Sequence, residues 1–236
     1  MARDNSKVPA KKSSNAEVDA FLRKVALTPA SQKSGTRGRL IFAMDATASR
    51  EPTWDRACHI QGQMFVETAA LGGLEVQVVF YRGFRECRAS PWLQRSDDLL
   101  GYMSRVRCLG GQTQVDRVLR HAMKETGKKQ VDALVFVGDC MEEDPDQVCH
   151  TAGELGLKGV PCFVFHELGD PAAASTFRQI AKLTNGAYCA FDSASAKTLR
   201  DLLSAVAVFA AGGRKALGDF SSKAGKEVLL LARQLK

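Results

Sequence analysis

Short apolar runs alternate with amphipathic helical patterns through the middle of this 236-residue chain. The first run, residues 40–44, is apolar at every position, as expected for a strand that is buried on both faces. Strands that alternate with helices are typical of a parallel sheet covered by helices on both sides. The sequence therefore predicts an α/β fold with three layers and a doubly wound, mostly parallel sheet.

The same patterns place the individual elements. Predicted strands cover residues 40–44, 74–81, 85–89, 131–137, 160–165 and 187–191. Predicted helices cover residues 53–71, 96–106, 115–125, 172–183 and 195–211, and a further helix begins after Asp144 as N-cap, with Pro145 as its first residue. Ser96 is the expected N-cap of the second of these helices. The polar strand 85–89 follows a tight turn at Gly83, which indicates an antiparallel edge hairpin.

The two ends of the chain differ from its middle in charge and in composition. Residues 1–37 are predicted to be basic and largely disordered, apart from one short amphipathic helix at about residues 15–27. That helix either docks on the domain or meets a partner. The domain itself is expected at residues 38–211, followed at residues 212–236 by a basic linker and a short helix. Residues 1–39 carry a net charge of +6, residues 212–236 carry +4, and the middle carries −3.

The composition of the chain also indicates its cellular location. No apolar run reaches the roughly 18 residues that a membrane span requires, and the first residues lack the apolar core of a secretion signal. The seven cysteines show no C-x-x-C spacing, which favours reduced thiols over disulfides or a zinc site. We therefore expect a cytoplasmic protein without a membrane segment.

Oxygen-bearing side chains follow the first predicted strand. Asp45, Thr47 and Ser49 form a D-x-T-x-S pattern in which alternate residues could direct their oxygens to one point. Because ligands of open parallel sheets sit beyond the carboxyl ends of the strands, this loop lies at the site-bearing edge. Mg²⁺ prefers such oxygen ligands and keeps an open coordination position. The alternative is that these residues only cap the next helix.

Two further positions extend this pattern. Thr113 follows a Gly-Gly pair, and Asp139 follows Gly138 at the end of a strongly apolar strand. With Asp45, Thr47 and Ser49, they resemble the metal-ion-dependent adhesion site of the von Willebrand factor A (VWA) domain family. That site uses an Asp-x-Ser-x-Ser loop, a threonine from a second loop and an aspartate from a third. Thr47 departs from the family's more common serine but keeps the hydroxyl. The resemblance covers about residues 38–211 and suggests a stand-alone, bacterial-type intracellular member of the family.

The resemblance implies a Rossmann-like VWA fold and a site for Mg²⁺ or Mn²⁺, held by Asp45, Thr47, Ser49, Thr113 and Asp139. It further implies that a partner protein completes the coordination with an Asp or Glu carboxylate, so that the chain is a scaffold or adaptor and not an enzyme.

Two other functions remain as alternatives. In a Mg²⁺-dependent phosphohydrolase, Asp45 would act as a nucleophile, but a second aspartate is expected where this chain has Thr47. The basic tails could contact nucleic acid weakly, although they lack interleaved aromatic residues for base stacking.

Neighbouring residues leave further questions open. An acidic run could repel a partner carboxylate when no metal is bound, or could simply solvate a loop and favour a helix start. That run comprises Glu142, Glu143, Asp144 and Asp146. Cys140 could make the site sensitive to oxidation, although nothing in the sequence indicates a lowered thiol pKa. The histidines at 121, 150 and 166 are interpreted as ordinary surface or core residues.

Overall fold

A computed structural model describes residues 15–28, 37–50, 73–167, 170–191 and 196–223. Three of the predicted features lie outside these residues. They are the basic residues before the predicted helix 15–27, the predicted helix 53–71 and the short helix predicted at the C-terminal end, at residues 228–235.

A six-stranded sheet forms the middle layer. Its strands are β1 (Gly38–Asp45), β2 (Leu74–Arg82), β3 (Glu86–Ala89), β4 (Ala133–Gly138), β5 (Cys162–Glu167) and β6 (Ala187–Phe191). The strand order is β3-β2-β1-β4-β5-β6, with β3 antiparallel to β2 and the other pairs parallel. The predicted fold class, including the antiparallel edge strand, is confirmed.

Helices cover both faces of this sheet. They are α1 (Asn15–Leu27), α2 (Ser96–Met103), α3 (Val115–Lys128), α4 (Pro145–Leu157), α5 (Pro171–Leu183) and α6 (Ala196–Lys223), with a 3₁₀ turn at Ala48–Arg50. Apolar residues of α1, α2 and α6 join one buried cluster, and those of α3, α4 and α5 join another. Within the described part of the chain, no helix is long and apolar enough to cross a membrane.

Strand β1 explains why the first apolar run shows no alternation. Leu40, Phe42 and Met44 face one buried cluster, whereas Ile41 and Ala43 face the other. Both faces of a central parallel strand are covered by helices, so neither set of side chains can be polar. The first polar residue after this run, Asp45, therefore marks the end of the strand and is still buried.

Helix α1 docks on the domain. The Phe21 ring lies 5.2 Å from the Phe165 ring and 6.1 Å from the Phe163 ring, measured between centroids. At the end of the helix, the Thr28 hydroxyl oxygen lies 2.9 Å from the Asn185 carbonyl oxygen and 2.8 Å from the Lys24 carbonyl oxygen, so it links the helix end to the turn after α5. Of the two alternatives for this helix, the structure therefore shows the docked one.

Two local expectations were wrong. Ser96 is the first helical residue of α2, and Arg95 before it occupies the N-cap position without a side-chain capping bond. Residues 212–223, expected to be part of a linker, belong to α6. Gly213 interrupts that helix with φ 66°, but the helix then resumes, and Ala216 and Leu217 are buried. Burial of these apolar side chains offsets the poor helix propensity of the glycine pair.

Candidate metal centre

Two aspartates meet at the carboxyl edge of the sheet. Strands β1 and β4 are parallel neighbours with Met44 opposite Val137, so Asp45 and Asp139 leave the sheet side by side. Their carboxylates and the Cys140 sulfur each offer an atom, and these three atoms lie within 4.8 Å of one another. The register of two strands therefore joins residues that are far apart in sequence.

Among the residues that the structure describes, hydrogen-bond partners are found for one of the two Asp45 carboxylate oxygens. Oδ1 accepts a hydrogen bond of 2.7 Å from the Thr47 backbone N–H, whereas the buried Oδ2 has no partner among the described residues. Burial raises the pKa of Asp45 to about 6, opposed by hydrogen bonds from Thr47. The Thr47 and Ser49 hydroxyls lie 3.1 Å apart. The loop thus uses half of this carboxylate to hold its own turn.

The Asp139 backbone is held by a buried histidine. His166 Nε2 lies 2.9 Å from the Asp139 carbonyl oxygen, and His166 Nδ1 lies 2.8 Å from the Tyr188 hydroxyl. A carbonyl can only accept, so Nε2 carries a proton, and in the neutral ring Nδ1 accepts from the tyrosine hydroxyl. Burial lowers the pKa of His166, which favours this neutral form.

This role of His166 was missed in the sequence, where the residue was interpreted as an ordinary surface or core histidine. The position gives one signal: His166 is near the end of β5 and lies opposite Gly138, the residue before Asp139. That pairing depends on strand register, which the sequence does not show.

Oδ1 of Asp139, like Oδ2 of Asp45, is buried without a hydrogen-bond partner in the described residues.

Thr113 reaches this edge in a loop that follows a helix and not a strand. The loop is fastened by the Leu109 N–H, which donates to the Ala46 carbonyl at 3.0 Å, and by the Gln112 N–H, which donates to the Gly83 carbonyl at 3.0 Å. A Cβ atom at Gly111 would lie 2.0 Å from the Gly83 carbonyl oxygen. The second glycine of the pair is therefore required for this close approach.

Thr113 also joins its loop to the Asp139 loop. The Glu142 N–H donates to the Thr113 hydroxyl at 2.9 Å, and the Thr113 N–H donates to the Glu142 carboxylate at 3.3 Å. These reciprocal bonds hold the second and third predicted ligand loops together. Thr113, Thr47 and both aspartates are buried, while Ser49 is exposed.

The acidic run after Asp139 contributes mainly to local structure. Glu143 accepts from the Val115 and Asp116 N–H groups at the start of α3, at 2.5 and 2.9 Å. Asp144 caps α4 by accepting from the Asp146 N–H at 2.8 Å. Of the two alternatives for these residues, the structure supports helix capping for Glu143 and Asp144.

Cys140 is a half-buried thiol beside both aspartates. Burial, reinforced by the negative charge of Asp139, raises the pKa of this thiol to about 12. A protonated thiol is a poor nucleophile and resists oxidation. The structure therefore gives no support to Cys140 as an oxidation sensor.

The donor set fits a divalent cation. Two buried carboxylates close to each other each keep an oxygen that has no hydrogen-bond partner among the described residues, an arrangement that costs free energy unless a positive charge joins them. Hydroxyl groups at Thr47 and Ser49 add neutral oxygen donors from the same loop. A bound cation would supply positive charge and an open coordination position for an anionic ligand.

The comparisons with known proteins rest on structure. No protein-family profile matches the chain, and no curated protein matches it. Among solved structures, the chain resembles a von Willebrand factor type A protein from Catenulispora acidiphila, with 17% identity over 72% of this chain and 42% of the other and a TM-score of 0.56. It resembles the SpRpn10 VWA domain, with 13% identity over 71% of this chain and 94% of the other and a TM-score of 0.57.

A third similar structure is proximal thread matrix protein 1 from the mussel byssus, whose adhesion-site motif is occupied by zinc. The identity is 15%, the alignment covers 74% of this chain and 47% of the other, and the TM-score is 0.58. The chain spans less than half the length of two of these three proteins. At identities this low, the likeness concerns architecture, and together with the strand order it leads to one conclusion: this chain has the von Willebrand factor A fold.

Proposed function

We propose that this domain is a divalent-metal-dependent protein interaction module that captures an acidic side chain of a partner protein. The observation on which the proposal rests is the pair of buried, unpartnered oxygens, Asp45 Oδ2 and Asp139 Oδ1. A buried acidic pair attracts a cation, and a cation with an open position attracts a carboxylate. The resident ion is proposed to be Mg²⁺ or Mn²⁺, held by both aspartates and the Thr47, Ser49 and Thr113 hydroxyls.

The same geometry argues against enzymatic use of this site. Asp45 is fully buried, and one of its oxygens already accepts from the Thr47 N–H. A nucleophile in a phosphohydrolase must reach the substrate phosphorus, and a general base should lie within hydrogen-bond distance of the attacking water. We propose that the chain is a scaffold or adaptor in an intracellular, cytoplasmic complex. Weak nucleic-acid contact through the basic tails stays a prediction, as does the stand-alone, bacterial-type assignment.

Metal binding is tested by isothermal titration calorimetry with Mg²⁺ and Mn²⁺. Asp45→Ala should lose binding while the circular dichroism spectrum persists. Asp97→Ala is a matched control because the Asp97 side chain is 81% exposed on α2. Wild-type affinity in Asp45→Ala would show that the ligands are assigned to the wrong residues.

Partner capture is tested separately with Thr113. Thr113→Ala should leave metal affinity within roughly tenfold, about 1.4 kcal/mol, while weakening metal-dependent partner binding much more, because the proposal places this ligand in the partner-bound state. Thr113→Ser is the matched variant, since it keeps the hydroxyl that accepts from Glu142. If Thr113→Ala binds the partner as well as wild type, the adhesion-type mechanism is wrong even where the ion binds.

A further inference from the structure

Two large apolar side chains are exposed beside the metal centre. Phe84, in the turn between β2 and β3, is 75% exposed, and Leu109, in the loop that leads to Thr113, is 53% exposed. The Gly83 N–H donates to the Leu109 carbonyl at 3.5 Å, which places the turn and the loop next to each other. We call Phe84 and Leu109 the apolar pair.

The apolar pair is hydrogen-bonded to the loop that carries Asp45, Thr47 and Ser49. The Leu109 N–H donates to the carbonyl of Ala46, the residue after Asp45. A partner whose carboxylate reached the metal centre would therefore lie within a few residues' length of this pair. Exposed apolar side chains next to a binding site are the usual anchors of protein interfaces.

Three arginines lie close to the apolar pair in the chain or bond to its turn. Arg85, Arg107 and Arg117 are exposed, and within the described residues none of them forms an ion pair with an acidic side chain. Arg82 differs, because Glu86 neutralises it at 2.9 Å. The Arg82 guanidinium donates to the Arg107 carbonyl at 2.6 Å, and the Arg117 guanidinium donates to the Arg85 carbonyl at 2.7 Å. These bonds hold the turn and the loop in place as one surface.

The positive charge of this surface is local to the turn and the loop. Arg85 directly follows Phe84, Arg107 precedes Leu109 by two residues, and Arg117 bonds to the turn through the Arg85 carbonyl. The nearby carboxylates of Glu142 and Glu143 already accept from backbone N–H groups of Thr113, Val115 and Asp116. An acidic ligand that reaches the metal centre is therefore attracted to the arginines that have no acidic partner.

We propose that the apolar pair and its arginines form the second half of the binding surface, and that the partner is an acidic protein segment with an apolar side chain near its metal-binding Asp or Glu. This inference rests on the proposed function. The chain's own tails do not fit, because they carry +6 and +4 and would meet arginines. Within the apolar pair, Phe84 alone has a ring on which a base could stack, whereas single-stranded nucleic-acid sites stack successive bases on several aromatic side chains, which favours a protein over nucleic acid.

The test is a selection from a display library of random dodecapeptides, carried out on the whole protein with Mg²⁺. Selected peptides should be enriched in Asp and Glu with an adjacent Leu, Ile, Phe or Met. The affinity of the best peptide is then measured by fluorescence anisotropy for wild type and for Phe84→Ser/Leu109→Ser. We expect a fall of roughly tenfold or more in the double variant, because an apolar anchor loses its contact. Leu157→Ser is the matched control, since Leu157 is 92% exposed on α4.

A charge variant, Arg85→Glu/Arg107→Glu, should bind the same peptide more weakly, and its affinity should depend less on salt concentration. Arg23→Glu on α1, away from this edge, is its control. The proposal is overturned if the selected peptides lack either acidic or apolar residues, if no peptide is enriched, or if only a homopolymeric oligonucleotide binds.

Measuring peptide binding in EDTA distinguishes a failure of this proposal from a failure of the proposed function on which it rests. Peptide binding that requires Mg²⁺ but is unchanged in both variants overturns the proposed role of the surface and leaves the metal-dependent function intact. Peptide binding that persists in EDTA and in Asp45→Ala, but is lost in the surface variants, supports this binding surface and overturns the proposal that a metal ion joins the peptide carboxylate to the site.

Discussion

Replacing Asp45 with asparagine should stabilise the metal-free protein at neutral pH. The side chain is buried, and burial raises its pKa from 3.8 to about 6. Asparagine keeps an oxygen that can accept from the Thr47 N–H but never ionises. The substitution therefore removes the buried charge while it preserves the turn.

The sign and size follow from proton linkage. Between pH 4 and 6, folded Asp45 holds a proton that the unfolded chain has already released, so the free energy of unfolding falls as the pH rises through this window. A rise in pKa from 3.8 to about 6 corresponds to about 3 kcal/mol. Wild type and Asp45→Asn should have similar stability near pH 4. At pH 7 in EDTA, the variant should be more stable by about this amount.

Urea unfolding followed by far-ultraviolet circular dichroism measures this difference from pH 4 to 7.5. Adding Mg²⁺ should stabilise wild type by about 2.7 kcal/mol at a hundred times the dissociation constant and leave Asp45→Asn almost unchanged. Asp97→Asn, at an exposed position on α2, serves as the control for loss of an aspartate. Parallel pH profiles for wild type and Asp45→Asn, or a less stable variant at pH 7 in EDTA, would refute the reasoning.

His166→Phe should lower the free energy of unfolding by about 1–3 kcal/mol for each polar group left without its partner, and should weaken metal binding because the Asp139 backbone is released; unchanged metal affinity by calorimetry would contradict this positioning role. Cys140→Ser should leave Mg²⁺ affinity unchanged and lower Zn²⁺ affinity roughly tenfold, because the sulfur near both carboxylates is a soft donor that zinc prefers. Cys149→Ser is its control, and equal losses for both ions would exclude a specific sulfur contact. Phe21→Ala should destabilise the protein by about 3–5 kcal/mol in urea, since this ring is 2% exposed against the sheet. Leu27→Ala, at a position 72% exposed on the same helix, should cost far less, and similar losses for both variants would argue against the docked helix.

Local patterns in the sequence account for most of the fold. The continuous apolar run of β1 predicted a strand buried on both faces, because a central parallel strand has no solvent side. Asp144 followed by Pro145 predicted the start of α4, and the structure shows the capping bond to the Asp146 N–H. The boundaries were less accurate, since α3 continues to Lys128 and α6 continues past Gly213. Helix ends depend on tertiary packing as well as on propensity.

The candidate site was likewise predicted in part from the sequence and in part revealed only by the structure. The sequence by itself determined which residue types could serve as metal ligands, because oxygen side chains at the ends of apolar runs are visible as a pattern. Whether the five predicted residues bind an ion stays a prediction. Only the tertiary structure decided which groups share the site. His166 bonds to the Asp139 backbone, Cys140 lies near Asp45, and the turn that carries Phe84 lies beside Leu109, because strand register and loop contacts join segments distant in sequence. The sequence specifies the chemistry of each side chain, whereas these side chains come close to one another only when the sheet has formed.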